Sequence, residues 1–257
     1  MISSRIPIVH SFPDFESITL LPSSDMHVDS MYFDERRWRE FEKLFIPDNT
    51  FLIFAGDMLE MGLPRSKSSP FESRMHPREA RDWWYEHLKP HKDKVLCLID
   101  GNHDWRATKE TSFFPLYDLA CILGIEDRYR SEGAFVDIGV GRQTRGGRIN
   151  KPHRYVARVN HKAQNLVNYG TADKFDGINI FISGHTHTPQ DKPLAKLSYD
   201  MNHKTVSVKN IENIVCGSFL TYGGYSERGG LPVCSEKLWR IDLGGNKWYI
   251  ETHGFYV

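Results

Sequence analysis

The sequence predicts an α/β fold in which a largely parallel sheet, built from strand–helix–strand units, packs against a second, mainly antiparallel sheet. Three observations point there. Four short, near-continuous apolar runs of strand length each lead into a turn rich in Asp, Asn, Gly and His. Helical patterns lie between the first runs, which implies right-handed crossovers. The second half of the chain instead reads as strands joined by turns.

The first run, Ile18-Thr19-Leu20-Leu21, leads into Asp25-Met26-His27. Pro22 and two serines intervene, so this strand is expected to end early or bulge. From Asp34 to Leu44 an apolar face carries Trp38, Phe41 and Leu44, with Asp34 in the capping position. The second run, Phe51 to Ala55, leads into Gly56-Asp57. A surface insertion is expected around residues 62–92, opened by the Pro-, Ser- and Arg-containing stretch from Gly62 to Pro77. Arg78 to Leu88, with Trp83, Trp84 and Leu88, reads as a helix. The third run, Val95 to Ile99, leads into Asp100-Gly101-Asn102-His103, and a further helix covers Leu116 to Leu123. Strands of the second sheet are expected at Ala134 to Val140, Arg154 to Asn160, Thr205 to Val208, Lys237 to Ile241 and Trp248 to Glu251. The fourth run, Ile178 to Ile182, leads into Gly184-His185-Thr186-His187. Ligand sites of open α/β sheets form beyond the carboxyl ends of strands, and all four polar clusters stand there.

Composition narrows the function. The 257 residues suit one large domain, 40% hydrophobic and 26% charged, with enough apolar material for a core. Lys plus Arg equals Asp plus Glu, 33 each, which argues against a basic coat protein or an acidic tail. No apolar run approaches a membrane span, and the first residues lack a signal-peptide core, so a cytoplasmic protein with no membrane partner is expected. Cys97, Cys121, Cys216 and Cys234 form no C-x-x-C pair and read as free thiols of a reducing compartment. No obligate protein partner is evident.

The 12 histidines carry the chemistry. Asp25-x-His27 puts two donors beside one strand end. Asp57 has two oxygens able to bridge two cations, Asn102 supplies a neutral amide oxygen, and His185 and His187 reach one place from a loop. Mixed Asp, His and Asn donors suit Mn²⁺, Fe²⁺ or Zn²⁺ and not a thiolate zinc site.

Asp25-x-His27, Gly56-Asp57-x-x-Glu60, Gly101-Asn102-His103-Asp104 and Gly184-His185-Thr186-His187 resemble, in order, the motifs of the calcineurin-like metallophosphoesterases. The resemblance implies a two-sheet β-sandwich flanked by helices, in four layers α/β/β/α. It implies two divalent ions per chain, Mn²⁺ first, with Fe, Zn, Ni or Mg as alternatives. One ion takes Asp25, His27, Asp57 and His187; the other takes Asp57, Asn102, His185 and one more histidine between Asn102 and His185. His153 and His161 are the candidates. They bracket the strand Arg154 to Asn160, and if it runs in the sense of the other ligand-bearing strands only His161 reaches the site. In such a centre two cations lower the pKa of a shared water and clamp a phosphoryl oxygen. His103 is then the general acid for the leaving oxygen, Glu60 matches the position that orients it, and Asp104 is the alternative. The arginine that follows the Gly-Asp-x-x-acid motif in protein serine/threonine phosphatases is replaced by Met61-Gly62-Leu63, which lowers the expectation of a protein phosphatase.

The expected activity is a metal-dependent phosphodiesterase or nuclease. A phosphomonoesterase on a small molecule or phosphoprotein, or a non-catalytic scaffold on the same fold, are the alternatives. The nuclease reading comes from residues 142–162, where Arg142, Arg145, Arg148, Lys151, Arg154, Arg158 and Lys162 stand without an acid and run through His161. A solvated hairpin with scattered cations would show the same composition. The Gly- and Tyr-rich loop Gly217 to Tyr225 either stacks a base or forms a tight β-connection.

Overall fold

A computed structural model of the chain describes residues 4–63, 70–145, 148–161 and 174–257. The first half runs β1 (Ile8–Phe12), β2 (Ser17–Ser23), α1 (Glu35–Glu42), β3 (Thr50–Ala55), α2 (Pro77–Leu88), β4 (Val95–Ile99), α3 (Asp104–Thr111) and α4 (Pro115–Leu123). Strands β5 (Tyr129–Arg130), β6 (Ala134–Val140), β7 (Gln143–Arg145), β8 (Arg148–Asn150) and β9 (His153–Asn160) follow. The last part holds β10 (Ile180–Ser183), β11 (Gln190–Asp191), β12 (Leu194–Asp200), β13 (Thr205–Val215), the short α5 (Gly224–Arg228), β14 (Leu238–Gly244) and β15 (Ile250–Phe255).

Helix starts follow local chemistry. Asp34 caps α1 by accepting from the Arg37 N–H at 3.0 Å. Pro77 opens α2 at a position where no N–H is needed, and the Glu79 carboxylate accepts from the His76 N–H at 2.6 Å. Gly124, at φ 71°, ends α4 in the left-handed conformation.

Two mixed sheets result. The first has the order β15-β14-β2-β3-β4-β5, and the second β1-β6-β9-β10-β13-β11 with β12 also on β13. In the first, β2, β3, β4 and β5 are parallel, as the crossovers predict. The second is not mainly antiparallel: β1 with β6, β9 with β10 and β10 with β13 all run parallel. The strands expected at Lys237 to Ile241 and Trp248 to Glu251 also belong elsewhere. As β14 and β15 they extend the first sheet, with β14 antiparallel to β2 and Thr19 Oγ1 donating to Asp242 at 2.6 Å. Nor does Pro22 end β2. The ladder to β14 stops at Leu20, and Pro22 stands past it, still in register with Ile53 of β3.

Period-two alternation builds the core. Phe51, Ile53 and Ala55 of β3 face the second sheet, whereas Leu52 and Phe54 face the helices. A register shift between β3 and β4 sets Leu52 opposite Val95 and Ile53 opposite Cys97, so Leu96 is an extra residue and both Leu96 and Cys97 join the layer between the sheets. On the outer face of the first sheet, Trp38 of α1 meets Trp84 of α2 edge to face at 4.9 Å. Ala80, Trp84 and Leu88 are fully buried, so α2 is a core crossover helix and not part of the surface insertion expected around 62–92; residues 64–69 lie outside the described residues. A smaller cluster of Ile178, Phe181, Leu194 and Ile211 covers the outer face of the second sheet, and residues 162–173 lie outside the description. Among the described residues no helix is long and apolar enough to cross a membrane. Parallel β2, β3 and β4 of one sheet and β9 and β10 of the other bring their carboxyl ends to one edge of the sandwich.

Candidate metal centre

At that edge the backbone turns sharply. Asp25, His27, Asp57, His185 and His187 all have positive φ, between 50° and 86°. Each left-handed non-glycine residue costs about 1–3 kcal/mol, and such strain persists only where the surroundings hold it. Here they do. The Asp25 N–H donates to Gly56 O at 3.0 Å and the His27 N–H to Asp57 O at 3.2 Å. The His185 N–H donates to Asp25 Oδ2 at 2.9 Å and the His103 N–H to Asp57 Oδ1 at 2.8 Å. Gly101 is required sterically: a Cβ there would run into the Asp57 carboxylate.

The side chains then converge. Asp25, His27 and His187 offer donor atoms that all lie within 4.8 Å of one another, and so do Asp57, His161 and His185. His187 Nε2 is 3.2 Å from Asp25 Oδ1 and 3.4 Å from His27 Nε2. His161 Nε2 is 3.0 Å from Asp57 Oδ2, and Asn102 Oδ1 lies 2.5 Å from His185 Nδ1. Asp57 also groups with His27 and His103. All seven residues expected as ligands, Asp25, His27, Asp57, Asn102, His161, His185 and His187, therefore meet at one place. β9 runs parallel to β10, so His161 follows its carboxyl end and reaches the cluster, while His153 opens the strand at the other end.

The model of the calcineurin-like phosphoesterase family matches residues 19–189, two thirds of the chain. The chain belongs to that family. Among solved structures it is similar to Vacuolar Protein Sorting 29 from Cryptosporidium parvum (12% identity, 95% of this chain and 100% of that one, TM-score 0.46). It is also similar to a metallophosphoesterase from Sphaerobacter thermophilus (14%, 93% and 88%, TM-score 0.41). A third is Vps29 from Entamoeba histolytica complexed with zinc (11%, 93% and 98%, TM-score 0.35). No curated protein matches the sequence.

The donor set of this family member fits divalent cations. His161 Nδ1 lies 2.7 Å from Ala55 O, to which it donates, so Nε2 holds the lone pair. That Nε2 is buried without a hydrogen-bond partner and faces a carboxylate oxygen. Two lone pairs so placed require a positive charge between them, a proton or a metal ion. Without metal the proton serves. Burial disfavours charge on His161, but Asp57 and Asp25 outweigh it and hold its pKa up to about 10. Burial likewise opposes ionisation of Asp57, yet His161, His103 and His27 bring it down to about 2. Asp25 is lowered against burial by His187, His161 and His27.

A pH dependence follows. The His161 proton is bound more tightly in the folded, metal-free chain than at the ordinary value of 6.5. Its stabilising effect is complete below about 6.5 and is lost as pH rises towards about 10. A cation must displace that proton, so metal affinity should rise with pH across this window, and loading at pH 7 should release protons. Calorimetry of Mn²⁺ binding in buffers of differing ionisation enthalpy measures this release; no net proton release would contradict it.

Glu60 stands between two histidines. Its carboxylate lies 2.8 Å from His27 Nδ1 and 3.2 Å from His103 Nδ1. Burial raises its pKa, but His27 and His103 overcome this and hold it well below the usual range. His103 is pushed up to about 8: burial lowers it, and the Glu60 hydrogen bond with the Asp57 and Glu60 charges more than compensates. Asp104 does not face the His103 ring. Its two oxygens accept from the Leu59 N–H at 3.0 Å and the Gly101 N–H at 2.8 Å, so it ties two site loops together.

Asp29 has the same kind of task, and the sequence reading passed over it. Buried, it accepts from the N–H groups of Glu60 at 2.5 Å and Met61 at 3.0 Å. Its signal was present in the spacing Asp25-x-His27-x-Asp29, which puts three polar residues on alternate positions.

The basic stretch 142–162 does not rim this site in its first part. Val140 of β6 pairs with His153 of β9, so residues 141–145 and 148–152 lie at the amino end of β9, about 25 Å of strand away from His161. Arg142 pairs with Asp14 at 2.8 Å, Arg154 with Asp137, and Arg158 is buried over Phe135 and Phe175. Lys162 and the side chains of Arg145 and Arg148 lie outside the description.

Proposed function

We propose that the protein is a metal-dependent hydrolase of small phosphodiesters. One observation supports this most: Asp57 groups with His161 and His185 on one side and with His27 and His103 on the other, next to the Asp25, His27 and His187 cluster, and His103 lines a cavity of about 360 Å³. When bound, two divalent ions would activate a water and neutralise charge on the phosphoryl oxygens. The chain's own residues do the rest. His103 presents its ring to the leaving oxygen as proton donor, Glu60 fixes that ring, and the Asn102 side chain faces the phosphoryl group from the second cluster.

The cavity favours a small substrate with a ring-sized group. Tyr32, Leu220, Leu231, Pro232 and Cys234 give it an apolar side. Its described lining includes Glu60 and Glu72 but one Arg or Lys, which suits a singly charged diester better than a dianionic monoester. A nucleic-acid polymer is the less favoured substrate, because the basic residues 142–154 stand at the far end of the sheet. A non-catalytic scaffold would have no need of the complete donor set together with His103.

The test is hydrolysis of bis-nitrophenyl phosphate, nitrophenyl phosphate and a single-stranded oligonucleotide with Mn²⁺, Zn²⁺ or Mg²⁺. The diester should be cleaved with a kcat/KM at least about tenfold above the others, and only with metal. Preference for the monoester or oligonucleotide would overturn the substrate assignment. Inactivity with every metal would overturn the hydrolase.

A further inference from the structure

We propose that Arg106 is the residue of this chain that grips the phosphoryl group of the substrate. The inference rests on the hydrolase reading and adds a substrate-binding residue to it. Arg106 stands three residues after His103, on the first turns of α3, so the two side chains share one helix face. Its Nη2 is 3.1 Å from His103 Nε2, and its Nη1 is 3.4 Å from Glu60 O and 3.8 Å from Glu60 Oε1. The side chain is about a quarter exposed and forms part of the cavity wall beside His27, His185 and His187.

Charge singles it out. Among the described residues lining the cavity, Arg106 is the one Arg or Lys. Glu72, which also lines the cavity, pairs with Arg228 at 2.8 and 3.2 Å. Among the described residues, an anionic phosphoester entering this space therefore meets one Arg or Lys side chain, next to the ring assigned to its leaving group. A planar guanidinium with parallel N–H groups matches two phosphate oxygens, which a lysine ammonium does not. A guanidinium can only donate, so its contact with His103 Nε2 suits the neutral ring; when that nitrogen carries the proton for the leaving oxygen, the guanidinium must turn away from it, towards phosphate. Glu60 holds the other edge of the His103 ring, so the ring stays in place when the guanidinium turns to phosphate.

The experiment compares wild type, Arg106→Ala and Arg106→Lys, all metal-loaded. It reads kcat/KM on bis-nitrophenyl phosphate, the dissociation constant of inorganic phosphate by calorimetry, and metal content by elemental analysis. Arg106→Ala should lose about ten- to a hundredfold in kcat/KM and bind inorganic phosphate weaker by a similar factor, with metal content unchanged. Arg106→Lys should recover part of both, and added guanidinium ion should partly restore Arg106→Ala. Unchanged phosphate binding in Arg106→Ala would overturn the inference, whether or not the rate falls, since the residue would then act on His103 alone. Should wild type hydrolyse nothing with any metal, the hydrolase reading fails by itself, and the phosphate dissociation constants still decide the role of Arg106.

Discussion

Asp57→Asn should reduce kcat on a phosphodiester by on the order of 10³-fold or more, because a carboxylate that groups with His161 and His185 and also with His27 carries charge worth several kcal/mol in the transition state. The substitution keeps the shape of the side chain and removes its charge. His161 Nε2 then faces an amide 3.0 Å away in place of a carboxylate, and the His103 N–H loses a charged acceptor at 2.8 Å. The cause of the raised His161 pKa is mainly Asp57 once burial is overcome, so His161 should also titrate lower in the variant. Steady-state kinetics with saturating Mn²⁺ and NMR titration of the His161 ring in metal-free protein check both statements. Activity within tenfold of wild type would mean that Asp57 does not bridge.

His103→Ala should lower kcat by about 10²–10⁴-fold for alkyl diesters and far less for nitrophenyl diesters. An alkoxide cannot leave without a proton, whereas a nitrophenolate can. The ring is held on the cavity wall: Glu60 lies at Nδ1, and Nε2 is 3.8 Å from Asp57 Oδ2. Metal content should barely change if His103 is not a ligand. This second readout matters because His103 also lies within reach of a cluster with His27 and Asp57. Equal losses on both ester types, with metal lost, would assign His103 to the metal.

The site was more legible in the sequence than the sheets that carry it. Asp25, His27, Asp57, Asn102, His185 and His187 follow apolar runs within a few residues, and strand polarity alone separated His161 from His153. These are local signals. Sheet membership is not local. β14 joins the first sheet because it pairs with β2, more than two hundred residues earlier, and nothing within Leu238–Gly244 encodes that choice. The parallel pairing of β1 with β6 is equally remote, and β1 carries a mixed pattern in which only Ile8 is buried. The basic stretch shows the same remoteness. Arg142 and Arg154 lie most of a strand length from His161 and pair with two acids, Asp14 and Asp137, that precede the stretch, whereas Arg158 is buried three residues before His161. Asp104, the alternative to Glu60 for orienting His103, has a different task. The helix α3 that begins there turns its carboxylate back onto the backbone of Leu59 and Gly101. Arg106 was invisible for the complementary reason. Its significance lies in what it faces, and the sequence after His103 carries no apolar periodicity that would mark the start of α3.

The central claim is that one carboxylate, Asp57, serves two cation sites. Its most direct measurement is the number of Mn²⁺ ions bound per chain after chelator treatment, by calorimetric titration with elemental analysis, in wild type and in Asp57→Asn. Two ions per wild-type chain are predicted, with at most one retained in Asp57→Asn and activity following the second ion. A wild-type chain that binds no more than a trace of divalent metal, or a variant that still binds two, would contradict it.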